Sequence, residues 1–143
     1  MLRGLMFTHV LSLAAFAGGC GLLSVMLTAL LSLAPEDGAR IMRTLLPRMG
    51  SVMAPLLVIG SASALLLAAF ARGVSTWIVA GAFVAIGIIT VVVHFPLNAQ
   101  FLDPMATPTG VQLERWLHWH HLRTALAMIA LLVLLQRMAF STS

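Results

Sequence analysis

The run WIVAGAFVAIGIITVVVHF, from Trp77 to Phe95, decides the fold of this chain. It contains no charged residue, and it comes close to the roughly 20 apolar residues that a helix needs to span a bilayer. A water-soluble domain rarely buries so long a charge-free run. We therefore expect this segment to cross a membrane as a helix.

The remainder of the chain has the same character. Of its 143 residues, 61% are hydrophobic and 8% are charged, and the mean hydropathy is +1.06. Alternation of polar and apolar residues with a period of two is absent, which favours helices over a β-barrel. The sequence predicts an all-α integral membrane four-helix bundle, in a single domain. Its spans are expected at about residues 4–33, 51–70, 77–95 and 111–140, the first being a retained span rather than a signal peptide.

The first loop has the pattern of a short amphipathic helix at the membrane interface. It reads PEDGARIMRTLLPRMG, from Pro35 to Gly50. A proline followed by two acidic residues suits a helix start, and Arg40 and Arg43 share one face. Pro47 is expected to end or kink this helix before the second span.

The arginines suggest an orientation. Four crossings place both termini on one side of the membrane, called side A here, and the first and third loops on side B. Side B holds more arginines, so the positive-inside rule favours it as cytoplasmic, although arginines kept for a site would raise the same count. The side of the N-terminus therefore stays open, and the bacterial inner membrane is the expected location. The arginines are Arg40, Arg43, Arg48, Arg115 and Arg123 on side B, and Arg3, Arg72 and Arg137 on side A.

Few charges are available for a macromolecular partner. A nucleic-acid interface needs clustered cations on a water-exposed face, and this chain has none, so nucleic acid is not an expected partner. The expected partners are membrane lipid and a hydrophobic small molecule. The small size also predicts a homo-oligomer or a place in a larger membrane complex.

Histidines concentrate on side B. His94 ends the third span, and the stretch ERWLHWHHLRT, from Glu114 to Thr124, opens the fourth with three more. Polar side chains at membrane depth are costly unless they face a protein interior or a wet cavity. This pattern predicts a polar pocket capped by the first and third loops. His9, near side A, stands apart and is assigned a structural role.

The end of the third span, HFPLNAQF, contains a proline at Pro96. Proline lacks a backbone donor and disfavours helix at the residue before it, so we expect the helix to break at Phe95. His94 and Asn98 would then point into the space under the third loop. An interfacial histidine followed by an asparagine cap explains the same residues without a function.

The fourth helix is expected to begin near residue 110, because Thr109 and Gln112 form a capping box. An interfacial belt of aromatic and cationic side chains would explain the tryptophans and arginine of this region, but it explains three histidines poorly. The alternative is a functional face, with Trp119 beside it. The residues of that face are Trp116, His120, Arg123 and Thr124.

Two kinds of chemistry remain open for this pocket. His94 and His120 on neighbouring helices can ligate a haem iron or a copper ion, or one of them can act as a general base. Arg123 can hold a carboxylate, a haem propionate or a developing oxyanion. No HExxH or CxxC motif is present, so no established metal motif supports ligation. Spacing alone does not separate the two chemistries, and haem b and copper stay open as cofactors. Further thioether candidates for Cu(I), more often core filler, are Met42, Met49 and Met53.

Two motifs resemble those of the anthrone oxygenase-like family of small four-helix membrane proteins. They are PLN at Pro96–Asn98 and W-x-x-W-x-H-x-R-T at Trp116–Thr124. The resemblance implies addition of oxygen to the activated aromatic C–H of an anthrone-like polyketide. The sequence departs from the family pattern at His120, where the family commonly has asparagine, and at His94. Both departures add an imidazole and favour a bound haem or metal. The positions that match the family pattern are Asn98, Trp116, Trp119, His121, Arg123 and Thr124.

The leading hypothesis is a membrane-embedded oxidoreductase of oxygenase type that acts on a hydrophobic aromatic substrate. His94, His120 and Arg123 are its predicted catalytic residues, with the two histidines also predicted as haem or metal ligands. The alternative is a non-enzymatic haem- or quinone-binding protein, or an accessory subunit of a membrane complex. The predicted substrate-binding residues are Asn98, Trp116, Trp119, His121, Thr124 and Arg43.

Overall fold

The computed structural model describes residues 2–33, 37–71, 73–106 and 109–140, and nearly all of them are helical. Helices α3 (Val74–Ile89) and α4 (Phe95–Leu102) follow one another through a π-helical segment (Thr90–His94) and form one span, called the third span below. This confirms the predicted all-α architecture. Pro35 and Arg72, used in the loop predictions, lie outside the described residues, as does the side chain of Arg3. The elements are α1 (Leu2–Leu33), α2 (Gly38–Ala71), α3 (Val74–Ile89), the π segment (Thr90–His94), α4 (Phe95–Leu102) and α5 (Gly110–Phe140).

Four stretches are long and apolar enough to cross a membrane. The outer surface of the bundle is also apolar, with side chains such as Phe7, Val25 and Ile88 exposed, as a lipid-facing surface requires. The chain is a multi-pass membrane protein. The four stretches are Gly4–Ala29, Arg40–Ala71, Val74–Leu102 and Gly110–Ala139.

The helices pack as a ring in which each makes most of its contacts with two neighbours. Helix α1 lies against α2 and α5, and α3 lies against the same two. Small residues let backbones approach where side chains meet closely. At Gly60 on α2, an added Cβ would lie 2.6 Å from the ring of Phe83 on α3, so only glycine fits there without a shift.

The interfacial helix predicted for the first loop is not a separate element. Residues 38–50 are helical, but they are the first turns of α2, which continues through Pro47 and Pro55 to Ala71. A proline removes one hydrogen bond and kinks a helix, and it ends the helix only when nothing else holds the next turn. Here Met42 and Leu46 are buried in the core at side B, and this packing holds the turns on that side of Pro47.

The predicted break at Phe95 is also wrong. The Phe95 N–H donates to the carbonyl of Thr90, five residues back, so the helix widens into a π turn just before Pro96. The wider turn accommodates the proline ring and its missing donor. Helix α4 then continues to Leu102, which keeps His94 and Asn98 on one continuous span.

The predicted start of the last helix is confirmed. Helix α5 begins at Gly110. The Thr109 N–H donates to Gln112 Oε1 at 2.6 Å, and the Gln112 N–H donates to Thr109 Oγ1 at 3.4 Å. This reciprocal pair satisfies backbone donors that the helix itself cannot.

Candidate functional site

A cavity of about 280 Å³ lies within the bundle, bounded by α2, the third span and α5. This is near the lower end of the roughly 300–1,000 Å³ typical of small-molecule pockets. Its walls are mostly apolar, with Phe16 of α1 and Met49 and Met53 of α2 among them. A few polar side chains interrupt them, as in most ligand pockets. The lining residues with polar side-chain groups are Thr90, His94, Asn98, Trp116 and Arg123.

His94 lines this cavity with no hydrogen-bond partner. Its side chain is 1% exposed, and it meets the ring of Trp116 edge-on, with 5.0 Å between ring centroids. Among the described residues, neither ring nitrogen makes a hydrogen bond, although the Trp119 backbone lies near the ring. Leaving a buried polar group unpaired costs about 1–3 kcal/mol. A ligand in the cavity would supply the missing partner.

Arg123 brings a positive charge to the same cavity. Its Nη1 donates to Thr90 Oγ1 at 3.2 Å and its Nη2 donates to His120 Nδ1 at 3.0 Å, whereas its Nε has no acceptor. Within the described part of the chain the only ion pair is Arg40 with Asp37. The buried guanidinium therefore has no carboxylate beside it, and an uncompensated buried charge is costly. A ligand that carries or develops negative charge would complement it.

His120 holds Arg123 in place from behind the cavity. Its Nε2–H donates to the carbonyl of Cys20 at 3.2 Å, which leaves Nδ1 as the acceptor for Arg123. These two contacts fix a neutral imidazole in one tautomer. The ring also stacks on Trp116, with 4.9 Å between centroids and 14° between planes.

The predicted haem or metal site does not fit this arrangement. The rings of His94 and His120 are close, at 6.2 Å between centroids, but both nitrogens of His120 are already engaged. A metal ligand needs a free imidazole lone pair. In the described residues, no group of three or more histidine, cysteine, aspartate or glutamate side chains is placed to hold a metal ion. His120 therefore cannot act as a second ligand beside His94, whose two ring nitrogens remain available for proton transfer.

Asn98 adds a hydrogen-bond donor to the cavity. Trp116 Nε1 donates to Asn98 Oδ1 at 2.8 Å, and this contact fixes the orientation of the amide. Its Nδ2 group, which makes no other hydrogen bond in the described structure, remains available to a carbonyl or enolate oxygen.

Three of the predicted substrate-binding residues lie outside the cavity on α5. Trp119 is half-buried and packs against the core at side B. His121 is exposed and borders a shallow surface groove beside α1. Thr124 Oγ1 donates to the carbonyl of His120 and contacts Ser24 Oγ of α1 at 3.2 Å.

Arg43 also lies outside the cavity, at the end of α4. Its Nε donates to the Phe101 carbonyl at 2.9 Å, and its Nη2 donates to the carbonyls of Asp103 and Ala106, both at 3.0 Å. The last carbonyls of a helix lack hydrogen-bond donors within the helix, and Arg43 supplies donors at this end of α4. Its contacts indicate a clamp between α2 and the third loop.

Sequence reasoning missed two contributors to the site. Thr90 accepts the hydrogen bond from Arg123, and a signal existed, because it lies one turn before His94 on the same span. The Cys20 carbonyl accepts from His120, and a backbone carbonyl leaves no trace in the identity of its residue.

The assembled site can be compared with known proteins. The sequence model of the family described as anthrone oxygenase matches residues 42–133. The chain belongs to this family. The matched region contains all the polar residues of the cavity, and family membership supports an oxygenase-like function. A comparison with curated proteins and with solved structures finds no match.

Proposed function

We propose that this member of the anthrone oxygenase family oxidises an anthrone-like aromatic ketone with molecular oxygen, using a side-chain base and no metal. One observation carries the proposal. An unpartnered histidine, His94, and an uncompensated arginine, Arg123, line the same apolar cavity. A base beside a fixed cation is the arrangement that forms and stabilises an enolate.

In the first step, His94 removes a proton from the methylene carbon of the central ring. The electrons of that C–H bond move into the ring system and place negative charge on the carbonyl oxygen. Arg123 and the Nδ2 group of Asn98 donate to that oxygen. Their hydrogen bonds strengthen as the charge develops, so they lower the barrier rather than only binding the substrate.

In the second step, the enolate reacts with O₂ by transferring one electron, and the two radicals combine to form a C–O bond. The protonated His94 returns its proton to the resulting peroxide anion. The hydroperoxide then loses water as its carbon becomes a second carbonyl. Overall, one methylene and one O₂ give one quinone carbonyl and one H₂O, so the four electrons lost by carbon are those gained by oxygen.

His120 is a positioning residue in this scheme. It lies behind the cavity, and it orients the guanidinium of Arg123 through one nitrogen while the other is tied to α1. Trp116 and Phe16 provide the flat and apolar walls that a tricyclic substrate requires.

The test is oxidation of anthrone by purified protein in nanodiscs, followed as anthraquinone formation and oxygen uptake. The expected stoichiometry is one O₂ per anthrone. His94→Ala should lower kcat by about 10²–10⁴-fold, the usual contribution of a general base. Empty nanodiscs correct for spontaneous oxidation by air.

His118→Ala is the matched control, because His118 is an exposed histidine on the same helix end as the site. It should leave the rate unchanged. A rate no higher than that of empty nanodiscs, or a His94→Ala variant as active as the parent, would refute the proposal.

A quinone-binding subunit is the second candidate. The donors of Arg123 and Asn98 suit a quinone carbonyl as well as an enolate, which favours this alternative over a haem-binding one. Anthraquinone retained by the nanodisc protein without any turnover of anthrone would support it.

A further inference from the structure

We infer that the substrate reaches the cavity sideways from the bilayer, between α2 and the third span, and that it is therefore a neutral, lipid-dissolved aromatic molecule. The inference rests on the proposed function only in calling this molecule a substrate. The entry route is argued independently, from where the cavity opens.

Three large apolar side chains line the cavity and face the outside of the bundle at the same time. Val58 of α2 is 66% exposed, and Val91 of the π segment and Phe95 of α4 are each 58% exposed. All three lie within membrane-spanning stretches. A cavity wall that is itself lipid-facing indicates an opening toward the acyl chains. These residues are called the lateral mouth below.

Two glycines leave open space along the wall of the cavity. Gly50 on α2 and Gly87 on α3 both line the cavity, and a Cβ added to either meets no heavy atom within 4 Å. A larger residue at either position would occupy this space. The opening is thus part of the packing between α2 and the third span.

Packed side chains separate the cavity from both membrane faces. Toward side B lies a buried apolar cluster that includes Leu46, Leu97, Phe101 and Leu113, and Arg43 clamps the loop above it. Toward side A lies a second buried cluster, which includes Leu13, Ala68, Val79, Phe83 and Leu134. A water-borne ligand that moved along the bundle axis would have to pass through one of these clusters.

The lateral route discriminates against charged ligands. An ionised molecule is strongly disfavoured in the hydrocarbon region, whereas a neutral aromatic molecule partitions into it from water. The substrate must therefore arrive protonated and become an anion only beside Arg123. This disfavours carrier-bound thioesters and carboxylates, and it admits a free aromatic ketone that is neutral until it loses a proton in the cavity.

The experiment uses contact quenching of Trp116, which lines the cavity and is almost fully buried. Trp77→Phe and Trp119→Phe leave it as the only tryptophan. In nanodiscs, the neutral and lipid-soluble quencher 1,4-dibromobenzene should quench Trp116 fluorescence, and the water-soluble anion 4-bromobenzoate should not. Because no turnover is needed, a failure of the proposed oxidation leaves this result interpretable.

The double variant Val58→Phe/Val91→Phe fills the lateral mouth and should reduce quenching by dibromobenzene several-fold. The control is Val52→Phe/Val84→Phe, which places the same two side chains on lipid-facing positions of α2 and α3 that do not line the cavity. Circular dichroism checks that both variants fold. Equal quenching in the two variants, quenching by 4-bromobenzoate in the parent, or no quenching of the parent by dibromobenzene would each overturn the inference.

Discussion

At the residue scale, the site depends on two polar groups that the protein leaves incomplete. Burying His94 without a partner and Arg123 without a carboxylate both oppose folding. Arg123 and the asparagine at Asn98 were recognisable from the sequence because both belong to a motif. The division of labour between the histidines was not, because it depends on which imidazole meets a backbone carbonyl of α1.

His120 should be sensitive to the loss of its hydrogen bonds but tolerant of an amide. His120→Ala removes the acceptor for Arg123 Nη2 and should lower kcat by roughly ten- to a hundredfold, with little change in KM. In His120→Asn, the amide oxygen can accept from Arg123 and the amide nitrogen can donate to the Cys20 carbonyl. Most of the activity should return.

The measurement is steady-state anthrone oxidation by both variants, with thermal unfolding in parallel. A purely structural role for His120 would lower stability in step with activity and would show no selective rescue of kcat by asparagine.

At the element scale, prolines change how a helix runs without ending it. The sequence predicted interruptions at Pro47 and before Pro96, because an isolated peptide would break there. In the bundle, burial of Met42 and Leu46 keeps the residues before Pro47 helical, and a π turn accommodates Pro96 without ending the helix. Tertiary packing decided both cases, and local sequence contains no direct record of it.

Helix contacts at this scale give a stability prediction. Gly60→Ala places a Cβ 2.6 Å from the Phe83 ring, and overpacking of this kind should lower the free energy of unfolding by about 1–3 kcal/mol. Gly81→Ala is the matched control, because its added Cβ meets no atom within 4 Å. It should be neutral or stabilising by up to about 1 kcal/mol.

Titration with sodium dodecyl sulfate in mixed micelles measures both differences. If the two variants unfold at the same fraction of sodium dodecyl sulfate, the close approach of α2 and α3 at Gly60 is wrong.

At the scale of the whole molecule, the number of spans and the membrane class were readable from composition, since long charge-free runs have few alternatives. The cavity was only partly predictable. The polar residues of the third and fourth spans identified those two walls of the cavity. The walls from α1 and α2 consist of apolar side chains, which the sequence does not distinguish from core or lipid-facing ones. The predicted homo-oligomer or complex stays a prediction.

The absence of a free lone pair on His120 predicts how the purified protein responds to chelation. Dialysis against EDTA should change the rate of anthrone oxidation by less than about twofold, and the optical spectrum should contain no Soret band, because His120 cannot join His94 as a second ligand. Metal analysis of the same sample provides the control. A Soret band that disappears in His94→Ala would contradict this and restore the haem hypothesis.

The lateral mouth has a consequence for the other reactant. Dioxygen is itself apolar and favours hydrocarbon over water, for the same reason that any nonpolar solute does. An opening into the acyl chains thus draws gas and ketone from one reservoir, in which both are enriched, and the quinone formed can return to it. Turnover in a cell would then follow the composition of the surrounding lipid rather than aqueous concentrations.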